Sequence, residues 1–252
     1  MKVYSLINQK GGVAKTTSTY NISKKLAEKG FRVLMVDIDP QASLTISTGI
    51  EPEELDKTIA DVILPFKGRK KEEITNVIIE IEENLHLVPS IIDLTAADNL
   101  LYNEMSRESI LKRALRKVRD YYDYCLIDCP PALNQLSINA LVATDYCIIP
   151  VACDYLALRG LGLLQQTIEQ VQENLNPDLK ILGVLATFNN RTNHAKENLK
   201  TIESHYNLIG VVGTTVKAKD ALYTGKPIVS YAPNSQVSID YANAVERIVV
   251  NG

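Results

Sequence analysis

Short apolar runs alternate with helical patterns along the whole sequence. The strand-like runs cover residues 3–7, 31–39, 85–89, 122–131, 146–151, 179–188 and 208–212. Helical patterns occupy residues 16–29, 107–119, 135–143, 156–174, 193–205 and 236–249. Most of the runs are apolar on both faces, which is typical of parallel strands covered by helices on both sides. The pattern therefore predicts an α/β fold: a doubly wound, mostly parallel sheet with helices on both faces.

Residues 50–83 interrupt this alternation. They form the most polar and irregular part of the sequence, with the acidic stretch EPEELD and the basic stretch KGRKKEE. Segments of this composition usually lie at the surface, so we expect a solvated insertion. No internal repeat and no linker rich in Pro, Gly or Ser divides the sequence. We therefore expect residues 1–252 to form a single domain, a size that α/β folds often reach.

Composition narrows the classes of partner. The net charge is −3, so binding of nucleic acid would need a local basic patch. The first strand-like run is five residues long and no other apolar run approaches membrane-spanning length. These lengths predict a cytoplasmic protein without membrane association. The four cysteines form no CxxC pair, and we expect buried free thiols rather than disulfides or a metal site.

The stretch GGVAKTT, residues 11–17, follows the first predicted strand and opens the first predicted helix. This is the context of a phosphate-binding loop, in which glycines let backbone N–H groups converge on phosphate oxygens at a helix N-terminus. In such a loop Lys15 reaches the β- and γ-phosphates, and the Thr16 hydroxyl binds Mg²⁺. Ala14 replaces the usual last glycine, which indicates a slightly altered loop or a tighter site.

Lys10 adds a positive charge that an ordinary phosphate loop does not need. With it, residues 10–17 read KGGVAKTT and resemble the deviant Walker A sequence KGGVGKTT of the partition and cell-division-positioning ATPases, the ParA, Soj and MinD group. The resemblance implies a P-loop ATPase in which Lys10 crosses a dimer interface to the phosphates of the partner subunit. A physical reason supports it: ATP held between two subunits carries surplus negative charge, so a lysine from the partner makes dimerisation depend on the triphosphate.

The cofactors expected from this loop are ATP and Mg²⁺. The nucleotide-binding residues are predicted to be Lys10, Gly11, Gly12, Val13, Ala14, Lys15, Thr16, Thr17 and, from the resemblance, Asn190. Asn190 belongs to the stretch TFNNRT and lies where the family has a residue at the adenine edge, and an amide can both donate and accept there. Asn189 is a close alternative.

Two acidic stretches end predicted strands. The sequence DIDPQ, residues 37–41, matches the DxDPQ pattern of the family, and a second apolar run ends at Asp128 in DCPP. Such strand ends face the ligand crevice of a doubly wound sheet. The resemblance implies that Asp39 positions the attacking water, while Asp37 and Asp128 support the Mg²⁺ shell. The predicted catalytic residues are Lys10, Lys15 and Asp39, and the predicted metal site is Thr16, Asp37 and Asp128.

The resemblance covers nearly the whole sequence, including the block at 127–151, the helix at 154–164 and the turn TGKPI at 224–228. It implies nonspecific DNA binding by an ATP-bound homodimer, a centromere-binding ParB-like partner and association with the nucleoid. The DNA-binding candidates are Arg191, Lys217 and Lys219. Thr214 replaces an arginine of the family pattern. For these positions and for the basic helix at 112–120, DNA contact and an ordinary solvated face remain alternatives.

Three functions are open at this point. We favour an ATPase for plasmid or chromosome segregation, whose DNA-bound dimer is released by slow, Mg²⁺-dependent hydrolysis that a ParB-like partner stimulates. The first alternative is a positioning ATPase for a protein cargo. The second is a redox or metal-assembly ATPase, for which Cys129 is the candidate ligand. The sequence stops at VERIVVNG without an amphipathic basic tail, and nine residues precede Lys10, which argues against a membrane role and an N-terminal helix-turn-helix domain.

Overall fold

The protein is described by a computed structural model that covers residues 1–68, 70–153, 155–190 and 192–252, without the side chains of 155–160. Within these residues the strands form one eight-stranded sheet in the order β3-β4-β2-β5-β1-β6-β7-β8. The strands are β1 Lys2–Leu6, β2 Val33–Asp37, β3 Ile79–Glu82, β4 Leu85–Val88, β5 Tyr124–Asp128, β6 Tyr146–Ala152, β7 Lys180–Asn189 and β8 Leu208–Gly213. Every neighbouring pair is parallel except β3 and β4.

Helices connect the strands on both faces of the sheet. The α-helices are α1 Lys15–Glu28, α2 Ser43–Ser47, α3 Ile59–Ile63, α4 Ala97–Leu100, α5 Ile110–Arg116, α6 Gln135–Ala143, α7 Tyr155–Asn174, α8 Asn193–His205, α9 Lys217–Tyr223, α10 Ile228–Tyr231 and α11 Gln236–Asn251. Short 3₁₀ turns lie at Pro52–Glu54, Ile74–Asn76, Ile92–Ala96 and Arg107–Ser109. The predicted fold class is thus confirmed.

The alternation of side chains along the strands divides the core between the two faces. In β1, Val3 belongs to the cluster that packs beneath α5 and α6, whereas Tyr4 and Leu6 belong to the cluster beneath α1 and α11. Both clusters consist of side chains that are nearly fully buried. Successive residues of a strand face opposite sides, so a strand buried on both sides has to be apolar throughout.

The strand register brings three functional segments to one edge. In the parallel pairs, Leu6 at the end of β1 lies opposite Asp128 of β5, and Asp37 of β2 lies opposite the same Asp128. The carboxyl ends of β1, β2 and β5 therefore meet at the point where the chain leaves β1 for α1. The turn between β1 and α1 lies directly beside both acidic strand ends.

Residues 50–83 differ from the expected solvated insertion. Ile59 and Ile63 of α3 and Ile74 are fully buried and belong to the core. Thr58 caps α3 by accepting a hydrogen bond from the N–H of Ala60, and β3 adds an antiparallel edge strand. Four-residue and five-residue elements are too short to show a clear hydrophobic period, so the polar composition of the segment hid these buried positions.

Candidate phosphate-binding site

The turn between β1 and α1 is held in place by side-chain contacts to β6 and β7. Asn8 accepts a hydrogen bond from the N–H of Lys10 at 3.0 Å and donates to the carbonyl of Pro150 in β6 at 2.7 Å. The hydroxyl of Thr187 in β7 donates to the carbonyl of Val13 at 3.2 Å. These contacts fix the curvature of the turn, while Gly11 and Gly12 remain exposed at its tip.

Two residues of the turn have left-handed backbone conformations. Gly12 has φ 71°, and Ala14, the residue before α1, has φ 63° and ψ 32°. Glycine adopts this region freely, but an alanine pays a steric cost for its Cβ. The alanine therefore keeps the backbone shape for which a glycine is expected, at a cost in strain, and it lines the cavity described below.

Lys15 and Thr16 open α1 and connect the turn to β5. Lys15 as a residue is buried, and its ammonium group donates to the carbonyl of Lys10 at 3.4 Å. The Thr16 hydroxyl donates to Asp128 Oδ2 at 2.6 Å, and the Thr19 hydroxyl lies 3.4 Å from Asp128 Oδ1. Burial lowers the pKa of Lys15, while the nearby charge of Asp128 acts in the opposite direction.

Asp37 and Asp128 are both fully buried. Burial, opposed by hydrogen bonds from Thr45 and Asp39, raises the pKa of Asp37 to about 7. Burial and the neighbouring Asp37 charge raise the pKa of Asp128 well above its usual value. Two buried carboxylates on adjacent strands disfavour joint ionisation, so a bound cation would stabilise this pair.

A network of hydrogen bonds ties Asp37 to α2. Asp37 Oδ2 accepts from the N–H and the hydroxyl of Thr45, at 2.9 Å and 2.8 Å. The Thr45 hydroxyl accepts in turn from the N–H of Ser90 at 2.9 Å, and the Ser90 hydroxyl donates to the carbonyl of Asp39 at 2.6 Å. The segment after β2 and the segment after β4 are therefore joined behind the carboxylates.

Asp39 lies at the surface of this network and faces the cavity. Its Oδ1 accepts from the N–H of Gln41 at 3.0 Å, which orients the carboxylate, and its side chain is largely buried. Ala42, three residues further on, has φ 51° and precedes α2. Ala42 thus follows the acidic segment, as Ala14 follows the glycines of the turn. Strained residues of this kind are typical of functional sites.

An open cavity of about 400 Å³ lies over the turn. Its lining includes the predicted residues Gly11, Gly12, Ala14, Lys15, Thr16, Thr17 and Asp39. Glycine-rich backbone, a lysine, and the N-terminus of a fourteen-residue helix face this space together. The arrangement suits an anion with several phosphate groups.

The residues present fit a magnesium ion beside such an anion. Mg²⁺ prefers oxygen ligands and usually takes only one or two from the protein, with phosphates and water completing the shell. Thr16 and Asp128 supply adjacent oxygens, and Asp37 lies opposite Asp128 on the neighbouring strand. Among the described residues, no group of three or more His, Cys, Asp or Glu side chains could hold a metal without such help.

The remaining predicted residues are not all brought to the cavity. Asn190 is exposed, is not part of the cavity lining, and accepts hydrogen bonds from the N–H and hydroxyl of Thr192 at the start of α8. Lys217 and Lys219 are exposed on α9, which borders the cavity through Ala218 and other residues. Their helix therefore borders the phosphate cavity, although neither lysine is part of the lining. Arg191 lies outside the described residues.

Several residues of the site were not singled out from the sequence. The cavity lining also includes Tyr20, Asn21, Ser43, Ser47, Phe188 and Lys226. Lys226 belongs to the TGKPI turn, which is tied to α1 because Tyr20 donates to the carbonyl of Gly225 at 3.2 Å and Asn21 accepts from the N–H of Val229 at 2.9 Å. The matching motif was a usable signal for Lys226, and Phe188 belongs to the stretch TFNNRT, in which only Asn189 and Asn190 were considered.

The cysteines agree with the expectation of free thiols. Cys125, Cys129 and Cys147 are buried and unpaired, and Cys153 is half-buried. Burial and the charge of Asp128 raise the pKa of the Cys129 thiol. No helix within the described part of the chain is both long and apolar enough to cross a membrane.

Comparison with known proteins agrees with this geometry. Residues 1–181 match a family described as an AAA domain. The chain is 39% identical over 255 residues to the sporulation initiation inhibitor protein Soj of Bacillus subtilis, covering 100% of this chain and 99% of Soj. It is 38% identical over 242 residues to the chromosome partitioning protein ParA of Myxococcus xanthus, covering 91% of this chain and 81% of ParA. The chain belongs to the ParA/Soj family of P-loop ATPases.

The similarity of this ParA/Soj-family protein extends to solved structures. One is the crystal structure of cobyrinic acid a,c-diamide synthase from Mycobacterium smegmatis with bound ADP and magnesium. It shares 36% sequence identity with this chain, with a TM-score of 0.84 and coverage of 99% of this chain and 94% of that one. The resemblance drawn from KGGVAKTT and DIDPQ is thereby confirmed at the level of family and fold.

Proposed function

We propose that this protein is an ATPase for DNA segregation that dimerises when it binds ATP and holds nonspecific DNA in that state. The observation that carries the proposal is the contact between Thr16 and Asp128 beneath an exposed phosphate loop that also bears Lys10. This contact joins the helix start to a buried strand end, as a site for a metal-bound triphosphate requires. Relatives named Soj and ParA support the same reading.

Binding of the triphosphate uses charges that the chain already orients. Lys15 and the N–H groups of residues 11–17 would contact the β- and γ-phosphates. Thr16, Asp37 and Asp128 would hold magnesium, which when bound neutralises phosphate charge. The structure from M. smegmatis that contains ADP and magnesium supports this pair of cofactors.

Hydrolysis would depend on positioning rather than on covalent catalysis. Asp39 faces the cavity with a carboxylate fixed by the N–H of Gln41, so it can orient a water molecule toward the γ-phosphate. A single weak base predicts slow turnover. Slow turnover suits a protein whose ATP-bound state has to persist before it is released.

Lys10 would act on the nucleotide of a second subunit. Its own carbonyl accepts from Lys15, and it lies half-buried at the exposed tip of the turn. From there a long side chain can reach phosphates across a symmetric interface, so that only the triphosphate-bound form closes the homodimer. We propose a single domain over residues 1–252, with Lys10, Lys15 and Asp39 as its catalytic residues.

DNA would bind to the outer surface of the dimer. Lys217 and Lys219 are exposed on α9, and Arg191 is the third candidate by its sequence position. Because α9 borders the phosphate cavity, its position can depend on the bound nucleotide. A ParB-like, centromere-binding partner would stimulate hydrolysis and release the dimer, and the protein would be cytoplasmic and associated with the nucleoid.

A DNA titration in the presence of ATP tests this function. The Asp39→Ala variant, in which hydrolysis stalls, should bind duplex DNA of unrelated sequences equally with ATP and Mg²⁺, and weakly with ADP. Equal binding with both nucleotides, or no binding at all, would contradict the segregation function. A dimer that forms with ATP but does not bind DNA would instead favour a function in positioning a protein cargo without a DNA surface.

A further inference from the structure

Phe188 occupies an unusual place for an aromatic residue. It has φ 54°, a left-handed conformation that bulky side chains rarely adopt, and 44% of its surface is exposed. Aromatic side chains normally gain stability by burial, so neither the backbone nor the ring is in its most stable setting. Strain of this kind persists where the surrounding structure imposes it, and it clusters at functional sites.

The surroundings hold Phe188 against the phosphate loop. The preceding residue, Thr187, donates its hydroxyl to the carbonyl of Val13, and its own carbonyl accepts from the N–H of Cys153. The end of β7 is therefore fastened to the loop on one side and to the end of β6 on the other. These two contacts fix the backbone of β7 immediately before Phe188.

Phe188 is part of a wall between two cavities. The phosphate cavity and a smaller cavity of about 100 Å³ share five lining residues. They are Ala14, Thr17, Phe188, Ala218 and Ile228. The far side of the smaller cavity is formed by the end of β8, at Val212–Thr215. Ala14, the second strained residue of the site, borders the same wall.

Sheet order indicates which part of a nucleotide lies at this wall. The carboxylates of β2 and β5 lie on one side of β1, and β6, β7 and β8 lie on the other. The γ-phosphate has to face Asp39, so the nucleoside points away from it, toward the ends of β7 and β8. The shared wall lies on this side of the phosphate cavity, so a nucleoside that points away from Asp39 comes against its residues, among them Phe188.

We propose that Phe188 is the residue that receives the nucleoside, with its ring against the base, and that its strained backbone is retained for this contact. The inference rests on the proposed binding of ATP and adds to it the residue that holds the base. An aromatic face accepts any nucleobase, so Phe188 contributes affinity and orientation rather than base identity. The exposed Asn190, engaged with Thr192, does not take this place in the described structure.

Calorimetric titration with ADP and with pyrophosphate, both with Mg²⁺, tests the proposal. Neither ligand allows hydrolysis, and they share two phosphates but differ by the nucleoside. Phe188→Gly and Phe188→Asn both suit a left-handed backbone and remove the ring. Each should lower the affinity for ADP by about tenfold, as expected for a lost base–aromatic contact. Pyrophosphate affinity should stay within about twofold.

Three further variants and one measurement separate this role from a structural one. Phe188→Tyr should keep ADP affinity, and Tyr223→Ala, which removes an exposed ring on α9 outside both cavities, should leave it unchanged. Without ligand, Phe188→Gly should melt at the same or a higher temperature than the wild type, since the strain is relieved. Phe188→Ala keeps a Cβ in the left-handed region and should not show this gain.

Two results would overturn the inference. One is ADP affinity that is unchanged in both ring-deleted variants. The other is an equal loss for ADP and pyrophosphate, which would assign Phe188 to the shape of the loop. If the wild type binds pyrophosphate and ADP normally while the variants do not differ, only the role of Phe188 fails. A wild type that binds neither ligand would overturn the nucleotide site itself.

Discussion

Thr16 and Asp128 are 112 positions apart in the sequence, and the hydroxyl of the first donates to the carboxylate of the second at 2.6 Å. This bond joins the first turn of α1 to the buried end of β5. It supplies a hydrogen bond to a carboxylate that is fully buried. Thr16 and Asp128 are also two of the residues that would hold magnesium beside a bound triphosphate.

Replacing Lys15 by alanine should abolish binding of ATP, because the chain then loses the ammonium group that lines the cavity at the start of α1. Binding is measured by calorimetric titration with a slowly hydrolysed ATP analogue and Mg²⁺. Lys25→Ala removes the same charge from the last turn of α1, where it pairs with Glu28, and should bind normally. Normal affinity in Lys15→Ala would contradict the assignment of the phosphate loop.

Thr45→Val should destabilise the nucleotide-free protein by about 3 kcal/mol, at the upper end of the cost of an unsatisfied buried group. The change keeps the shape of the side chain but leaves both Asp37 and the N–H of Ser90 without one hydrogen bond. Urea unfolding measures the difference. Thr48→Val, whose hydroxyl only bonds a carbonyl of its own turn, should cost under about 1 kcal/mol. Equal costs would mean that the network around Asp37 contributes little.

Asp39→Ala should bind ATP and stop at that stage, because only the orientation of water is lost. We expect hydrolysis to fall by about a hundredfold or more, within the range for a positioned base. The readout is phosphate release under saturating ATP, with calorimetric binding as the control. Hydrolysis at the wild-type rate would show that another group orients the water.

Lys217→Glu combined with Lys219→Glu should weaken DNA binding by orders of magnitude at moderate salt while the ATP-dependent dimer persists. Each lost phosphate contact reduces the slope of log affinity against log salt by roughly 0.9. Titrations at several salt concentrations, in the Asp39→Ala background with ATP, measure both quantities. The control is Lys2→Glu with Lys180→Glu, which makes the same charge change at the amino ends of β1 and β7. An unchanged slope would move the DNA surface to Arg191 or to residues 112–119.

The sequence was most informative where function is local. The shape of the loop from Lys10 to Thr17 could be predicted from local sequence, because a strand, a glycine turn and a helix follow each other without a gap. Asp37 and Asp128 could be placed together because parallel strand ends share one edge. Ile59 and Ile63 were missed because their helix is too short to show a period inside a polar segment.

The direction of side chains in turns was the feature of the structure that the sequence predicted least well. The family resemblance predicts Asn190 at the adenine edge, but its amide oxygen accepts from Thr192 at the start of α8. Phe188 faces the cavity because Thr187 is fixed to the loop and the backbone turns left-handed directly afterwards. Neither the bond from Thr187 to Val13, 174 positions away, nor a positive φ at a phenylalanine leaves a trace in the hydrophobic pattern.

The central claim is that Lys10 makes dimerisation depend on the triphosphate, and size-exclusion chromatography with light scattering tests it most directly. In the Asp39→Ala background, ATP with Mg²⁺ should convert the 28.0 kDa monomer into a dimer of twice that mass, while ADP should not. Adding Lys10→Ala should leave ATP binding measurable but the protein monomeric. A dimer that forms without nucleotide, or one that forms equally well in the Lys10→Ala protein, would contradict the claim.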